Sequence, residues 1–291
     1  MTPAQSSTPA RDLTGRTAVI TGANSGIGWH TARAFAARGA HTVLAVRDLD
    51  RGREAASRLG GSTEVVPLDL ADPGSITRFA RDWGTRPIDW LVNNAGLSTT
   101  DLRRTADGRE LQFATNHLGP FALTNLLLPT ITTRVVTVAS MAERQARLAL
   151  DDLDWERRSY SGFRAYADSK QANLLFTAEL QRRLDGVGSS VRALAAHPGF
   201  VATSIYDDTS NPVARLAVRL VAQTPEAGAL PTLHAALADL PGDTFTGPRH
   251  LFHMRGGAQV ITRSSTAADP ELARALWQAS ERLTGVGFPL T

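Results

Sequence analysis

The hydrophobic pattern of this chain alternates between short apolar runs and longer segments with helical spacing. Continuous apolar runs are typical of strands that are buried on both faces of a parallel sheet. Six such runs predict strands at residues 17–21, 42–46, 64–66, 89–92, 134–139 and 191–196. The segments between them predict helices at 26–38, 49–59, 109–128 and 162–184, and one more that begins at Pro73 behind an Asp72 N-cap.

This alternation predicts an α/β fold, a single-domain Rossmann-type doubly wound parallel sheet with helices on both faces. No composition shift divides the chain, so we expect one domain over residues 14–291 after a disordered N-terminal lead at 1–13. Residues 200–240 are predicted to be irregular and to form a substrate lid with an apolar stripe, or else to pack on the core or a second subunit. A final strand is predicted near 250–252.

Composition narrows the classes of function. The N-terminus has no apolar segment of a secretion signal, and no uncharged apolar stretch is long enough to predict an integral membrane segment. The net charge of +3 comes from interspersed charges, which argues against a nucleic-acid partner. The chain contains no cysteine, in agreement with a cytoplasmic location. His250 and His253 lack further ligands, so we predict no metal site.

A glycine-rich turn follows the first predicted strand, in the sequence Thr21-Gly-Ala-Asn-Ser-Gly-Ile-Gly28. Glycine lets the backbone turn tightly and approach a pyrophosphate, and the following helix N-terminus offers N–H groups and a partial positive charge. The turn therefore predicts a nucleotide site. Its residues are Gly22, Asn24, Ser25, Gly26, Ile27 and Gly28.

The end of the second predicted strand indicates which nucleotide binds. In NAD sites an acidic residue at this position bonds the ribose 2′-hydroxyl, but here the position is held by Val46. Arg47 follows, and a guanidinium suits a 2′-phosphate. This pattern favours NADP(H) over NAD(H), although Asp48 beside it leaves the alternative open.

Tyr166 and Lys170 form the strongest candidate for chemistry. Residues four apart share one helix face, and a nearby cation favours the phenolate of a tyrosine, whose ordinary pKa is about 10. Of 31 basic residues, Lys170 is the single lysine, and it lies four residues after one of only three tyrosines. A site that needs an ammonium rather than a guanidinium explains this placement. Ser140, at the end of the fifth predicted strand, could bond a substrate oxygen at the same sheet edge.

Together with Asn93-Asn-Ala-Gly96, Asn116 and Pro198-Gly199, these motifs resemble the short-chain dehydrogenase/reductase family. The match extends from about residue 14 to the C-terminus and is closest to the retinol-dehydrogenase-like branch, as the segment Asn116-His-Leu-Gly-Pro-Phe121 illustrates. The resemblance implies an enzyme that moves a hydride between a nicotinamide cofactor and a CH–OH/C=O carbon. A small lipophilic molecule is the expected substrate, and a homodimer is a further expectation.

The resemblance also implies roles for individual residues. Tyr166 would be the general acid or base, Lys170 would lower its pKa and hold the nicotinamide ribose, and Ser140 would steady the substrate oxygen. Asn116 would interrupt its helix to hold a water that links Lys170 to solvent. The remaining cofactor residues implied are Asp69 and Leu70 at the adenine, Asn94, Ala95 and Gly96 along the cofactor, and Pro198, Gly199, Val201 and Thr203 over the nicotinamide.

Three other functions stay open at this point. One is an NAD-linked alcohol dehydrogenase of the same fold. The second is a cofactor-binding module that has lost its chemistry, since a fold does not by itself establish a function. The third is an epimerase or dehydratase that retains its nicotinamide throughout the cycle. The complete set of Ser140, Tyr166 and Lys170 argues against the second.

Overall fold

A computed structural model of the protein describes residues 12–201 and 222–290. Eight strands form one sheet in the order β3-β2-β1-β4-β5-β6-β7-β8, in which every neighbouring pair is parallel except β7 and β8. The strands, in chain order, are Thr17–Thr21, His41–Val46, Thr63–Pro67, Ile88–Asn93, Ile131–Val138, Arg192–Ala196, Phe245–Gly247 and Gln259–Val260. The six predicted strands are confirmed, with ends shifted by at most three residues.

Three helices connect the first four strands: α1 at Gly26–Ala36, α2 at Leu49–Ser57 and α3 at Pro73–Trp83. The predicted start of α3 is confirmed. Asp72 Oδ1 accepts a hydrogen bond from the Gly74 N–H at 2.8 Å, and Pro73 occupies the first helical position, where its missing N–H costs nothing.

The helix predicted at 109–128 is interrupted. It consists of a short α4 at Leu111–Phe113, a π-helical turn at Ala114–Leu118 and α5 at Gly119–Leu127. The prediction of one continuous helix was wrong, whereas the interruption implied for Asn116 is present. The predicted long helix is α6 at Gly162–Gly186, which Ser161 caps at its N-terminus.

The C-terminal third departs most from the prediction. Within the stretch predicted to be irregular lies α7 at Pro225–Leu237, which packs against α1; residues 202–221 of that stretch lie outside the described residues. The last parallel strand is β7 at Phe245–Gly247. Residues 251–254 form a turn that is closed by an isolated bridge between His250 and Arg255, so the strand predicted near 250–252 was wrong. A further helix, α8 at Pro270–Thr284, was not predicted.

The core lies on both faces of the sheet. On one face α1, α2 and α7 bury residues such as Phe35, Ala55 and Leu233, and on the other face α3, α5, α6 and α8 bury residues such as Phe121 and Trp277. This confirms a single doubly wound α/β domain. Leu13 is already buried, and its N–H bonds the Arg38 carbonyl. No helix among the described residues is long and apolar enough to cross a membrane.

Candidate active site

The glycine-rich turn between β1 and α1 forms a cradle with no room for side chains. Gly22 and Gly26 adopt positive φ angles of 65° and 54°, and a Cβ added at Gly28 would lie 2.4 Å from Asn94 Nδ2 and 2.6 Å from the Gly22 carbonyl oxygen. The N-cap residue Ser25 makes no side-chain hydrogen bond to the helix. The N-terminus of α1 is therefore open to an anionic group, and the turn fits a pyrophosphate.

Thr21 joins this turn to the neighbouring loop after β4. Its Oγ1 accepts hydrogen bonds from the backbone N–H of Asn94 at 3.0 Å and of Ala95 at 2.9 Å, and Asn94 Nδ2 donates to the Thr21 carbonyl at 2.9 Å. Thr21 was not predicted as a site residue. A hydroxyl at the end of a buried strand is the signal that could have drawn attention to it.

A cleft of about 290 Å³ opens at the carboxyl ends of β1, β2 and β4. Predicted cofactor residues that line it are Gly22, Asn24, Arg47, Asp69, Leu70, Ala95 and Gly96. Arg51, in the first turn of α2, also lines the cleft and was not predicted. Adjacent strands diverge here because the chain reverses direction across the sheet after β3, and this is where dinucleotides bind in open α/β sheets.

The end of β2 presents one buried and two exposed residues to this cleft. Val46 is buried, whereas Arg47 and Asp48 are exposed. Asp48 caps α2, and its Oδ1 accepts a hydrogen bond from the Arg51 N–H at 3.1 Å. The carboxylate that left the cofactor assignment open is thus engaged at a helix N-terminus, where negative charge is stabilised.

Tyr166 and Lys170 lie one turn apart on α6, with Lys170 Nζ 5.5 Å from the centroid of the Tyr166 ring. Lys170 is buried, and its Nζ donates a hydrogen bond to the Val138 carbonyl at 3.0 Å. Loss of water around the ammonium lowers the pKa of Lys170 to about 8. The ammonium is still mostly protonated at neutral pH and provides a fixed cation beside the phenol.

Ser140 lies just beyond β5, two residues after the carbonyl that holds Lys170. It caps the short 3-10 helix Met141–Gln145, and its Oγ accepts a hydrogen bond from the Ala142 N–H at 3.2 Å. The hydroxyl is half-buried at the carboxyl edge of the sheet. The end of β5 therefore carries both Ser140 and the backbone anchor of Lys170.

Asn116 occupies the π-helical turn and ties it to the loop after β4. Its Oδ1 accepts from the Leu97 N–H at 2.8 Å, and its Nδ2 donates to the Leu97 carbonyl at 2.9 Å and to Ser169 Oγ at 3.0 Å. A Cβ added at Gly96 would lie 3.3 Å from Asn116 Oδ1 and 3.4 Å from Lys170 Nζ. Asn116, Gly96 and Lys170 thus meet at one place, with Leu97 and Ser169 as partners that the sequence did not indicate.

The loop Pro198–Val201 follows β6 and lies against the start of α1. A Cβ added at Gly228 in α7 would come 2.6 Å from Val201 Cγ2, 3.3 Å from Ile27 Cγ1 and 3.4 Å from the Pro198 carbonyl oxygen. Glycine at position 228 therefore lets α7 pack closely against both the loop Pro198–Val201 and the start of α1. Thr203 lies outside the described residues.

Of the two histidines considered as metal ligands, one contacts a backbone carbonyl and the other is exposed to solvent. His253 Nδ1 lies 3.0 Å from the Pro248 carbonyl, and His250 is exposed. Within residues 12–201 and 222–290, no three histidine, aspartate or glutamate side chains are grouped so that they could hold a metal ion.

Comparisons with known proteins agree with this geometry. The family model for short chain dehydrogenases matches residues 16–213. Human retinol dehydrogenase 13 is 37% identical over 95% of this chain and 87% of its own length. The crystal structure of an uncharacterised protein from Mycobacterium paratuberculosis is 50% identical, covers 96% of this chain and 97% of its own, and superimposes with a TM-score of 0.84.

A second solved structure carries information about the cofactor. A candidate NAD(P)-dependent gluconate 5-dehydrogenase from Beutenbergia cavernae, with NADP bound at low occupancy, is 30% identical over 79% of this chain and 92% of its own, with a TM-score of 0.63. Both the family match and the relatives cover far more than half of the chain. The chain therefore belongs to the short-chain dehydrogenase/reductase family, in its retinol-dehydrogenase-like branch, and is an NAD(P)-dependent oxidoreductase that interconverts CH–OH and C=O groups.

Proposed function

We propose that this enzyme prefers NADP(H) and uses Tyr166 as the general acid or base on a lipophilic alcohol or carbonyl compound. The observation that carries the cofactor preference is the end of β2. Val46 stands where an NAD site needs an acid, and Arg47 and Arg51 both line the cleft beside it. Two guanidinium groups suit the 2′-phosphate of NADP(H). NAD(H) has a neutral hydroxyl at this position of the ribose and offers them no negative charge.

The engagement of Asp48 supports the same preference. A free carboxylate at the rim would repel a 2′-phosphate, but this one accepts the Arg51 N–H and caps α2. The related structure from Beutenbergia cavernae holds NADP, which agrees with NADP use in this fold. NAD(H) remains the alternative cofactor that the affinity measurement below tests.

The residues around the cleft fit a dinucleotide because the glycine cradle excludes side chains and the N-terminus of α1 has no side-chain cap. When bound, NADP(H) supplies or accepts the hydride. In reduction, Tyr166 Oη donates its proton to the substrate oxygen, and in oxidation it removes that proton. The Lys170 ammonium, 5.5 Å from the centroid of the Tyr166 ring, stabilises the phenolate that results, because a nearby opposite charge favours the charged form.

Ser140 and Asn116 complete this proposal. The Ser140 hydroxyl, half-buried at the end of β5, orients the substrate oxygen toward Tyr166. Asn116 keeps the π-helical turn against Leu97 and next to Lys170, and from there a water can connect Lys170 to solvent. A proton taken from or given to Tyr166 is then exchanged with bulk water.

A lipophilic substrate has two kinds of support. One relative is named for retinol, an apolar alcohol. In addition, Phe163, Leu251 and Phe252 are exposed by 53%, 57% and 94% on segments at the carboxyl edge of the sheet. Exposed apolar side chains beside a site are typical of a surface that receives an apolar ligand. The cytoplasmic location and the homodimer stay predictions from the sequence.

The test of the cofactor proposal is a fluorescence titration of NADPH and NADH with wild type, Arg47→Ala and Arg51→Ala. We expect NADPH to bind more tightly to wild type, and Arg47→Ala to lower that preference by about tenfold or more through loss of a charge-assisted contact. Arg53→Ala is the matched control, since Arg53 lies on the same helix and pairs with Asp50 at 2.8 Å. Tighter binding of NADH, or an unchanged preference in Arg47→Ala, would refute the proposal.

A further inference from the structure

Gln223 lies just before α7, beside the loop Pro198–Val201. It is buried, and it pairs with Val201 in an isolated parallel bridge. Its backbone N–H donates to the Phe200 carbonyl at 2.8 Å. Its side chain makes two more hydrogen bonds. Nε2 donates to the Pro198 carbonyl, and Oε1 accepts from the Gly256 N–H at 2.9 Å.

The loop held in this way has little freedom. Gly199 has a φ of 80°, and a Cβ added there would lie 2.5 Å from the Met254 carbonyl oxygen and 2.6 Å from Gln223 Nε2. The Phe200 N–H also donates to the Met254 carbonyl at 2.8 Å. The loop after β6 is therefore packed between Gln223 and the chain that follows β7, and Gln223 bonds to both.

We propose that Gln223 is a positioning residue that fixes Pro198–Val201 against the nicotinamide half of the cofactor. This inference rests on the proposed function, in which that loop covers the nicotinamide. A carboxamide offers a donor and an acceptor at the end of one side chain, so Gln223 can join a carbonyl to an N–H. A methionine of similar length offers neither, and a glutamate loses the donor.

The adenosine half of the site provides an internal comparison. Gln223 is not among the residues that line the cleft where Gly22, Arg47 and Asp69 lie. Loss of its side-chain bonds should therefore affect the ligand only where the nicotinamide binds. A ligand that carries the adenosine 2′-phosphate and the pyrophosphate but no nicotinamide separates the two halves.

The experiment compares the affinities of NADPH and 2′-phospho-ADP-ribose for wild type and Gln223→Met. We expect Gln223→Met to weaken NADPH by roughly fivefold or more, which corresponds to the loss of one or two buried hydrogen bonds, and to leave 2′-phospho-ADP-ribose within about twofold. Gln223→Asn, which keeps the amide but is shorter, is the second variant and should show the same selective loss. It replaces Gln223→Met in the experiment if Gln223→Met does not fold.

Gln181→Met is the matched control. Gln181 is also buried, and its Oε1 accepts from the Ala193 N–H at 2.8 Å at the amino end of β6, away from the site. This control should lose thermal stability and bind both ligands as wild type does. Equal weakening of both ligands in the Gln223 variants, or no weakening of either, would overturn the inference. If wild type binds neither ligand, the proposed function fails, and the inference fails with it.

Discussion

The ammonium of Lys170 is buried in α6, 3.0 Å from the Val138 carbonyl oxygen. One carbonyl replaces only part of the water that a cation loses on burial, and the pKa of Lys170 therefore falls to about 8. A guanidinium is larger and stays charged at all relevant pH values. These properties account for a lysine at this position in a chain that otherwise uses arginine.

The lowered pKa of Lys170 predicts how its contribution to stability changes with pH. Between pH 8 and 10.5, the unfolded chain binds a proton at Lys170 that the folded protein does not, so the stability of the folded protein rises with pH in this window. Lys170→Met removes this dependence. The free energy of unfolding of Lys170→Met relative to wild type should therefore fall by about 1–3 kcal/mol from pH 7 to pH 10.

Urea unfolding of both proteins at the two pH values measures this change. A relative stability that is the same at pH 7 and pH 10 would show that Lys170 does not titrate in the window given above. Both proteins carry Tyr166→Phe in this comparison, so that the phenol beside Lys170 makes no contribution of its own.

Which site residues the sequence could predict depends on where their partners lie. Tyr166 and Lys170 are four apart, so helix geometry alone brings them together. Gln223 was missed because its partners, such as the Pro198 carbonyl, lie far away in sequence, and Arg51 was missed because its place in the cleft depends on how α2 packs against the sheet. No local pattern distinguishes them from other arginines and glutamines of the chain.

At the level of elements, the turn before α1 and the loop after β4 interlock. Asn94 Nδ2 occupies the space where Gly28 would carry a Cβ, and the Asn94 N–H bonds Thr21 Oγ1 at 3.0 Å. The close approach of backbone and side chain here requires glycine on geometric grounds. The glycine-rich cradle is thus built jointly by two loops, so a change in one should displace the other.

Gly28→Ala tests this interlocking. The new methyl group would lie 2.4 Å from Asn94 Nδ2, so we expect a loss of about 1–3 kcal/mol in the free energy of unfolding and weaker NADPH binding. Gly186→Ala at the end of α6 is the control, because a Cβ there meets nothing within 4 Å, and this variant should be as stable as wild type or slightly more stable. Urea unfolding and NADPH titration measure both effects. Normal NADPH affinity in Gly28→Ala would contradict the cradle.

The interrupted helix shows a limit of local patterns. Residues 109–128 have helical spacing throughout, and the sequence gives no sign that the hydrogen bonding changes at Ala114–Leu118. The change accompanies bonds from Asn116 to Leu97 and Ser169, which are 19 and 53 residues away. Only the family resemblance, and not the periodicity, implied an interruption there.

At the scale of the whole molecule, the segments that form the candidate site all lie at one edge of the sheet. The carboxyl ends of β1, β2, β4, β5 and β6 supply the cradle, the Arg47 region, the Asn94 loop, Ser140 and Pro198, respectively. The alternation of strands and helices was enough to predict this arrangement, because parallel strands place all their carboxyl ends together. The strands β7 and β8 were missed or misplaced, since three and two residues are too short for a hydrophobic pattern.

Two buried histidines predict the response of the whole molecule to acid. Burial lowers the pKa of His117 and of His197 from 6.5 to about 3. As the pH falls from 6.5 toward 3, the unfolded chain takes up protons at these positions and the folded protein does not, so stability is lost in this window. Each histidine should contribute about 1.4 kcal/mol per pH unit.

His117→Phe isolates one of these contributions. The ring lies among Phe113, Phe121 and Phe176, so an aromatic replacement keeps the packing and loses the hydrogen bond to Ser280. The stability lost between pH 6.5 and pH 5 should be about 1–2 kcal/mol smaller than in wild type. Equal losses in chemical unfolding at the two pH values would refute the assignment of acid sensitivity to His117.

The central claim, that this chain transfers a hydride with Tyr166 as the acid, is tested most directly by following NADPH consumption with a panel of lipophilic aldehydes and ketones in wild type and Tyr166→Phe. Both proteins should bind NADPH with similar affinity, because the phosphate cradle does not involve the phenol oxygen. Wild type should consume NADPH, and Tyr166→Phe should turn over at least about 100-fold more slowly, the usual effect of losing a general acid. Turnover of Tyr166→Phe at the wild-type rate would contradict the account.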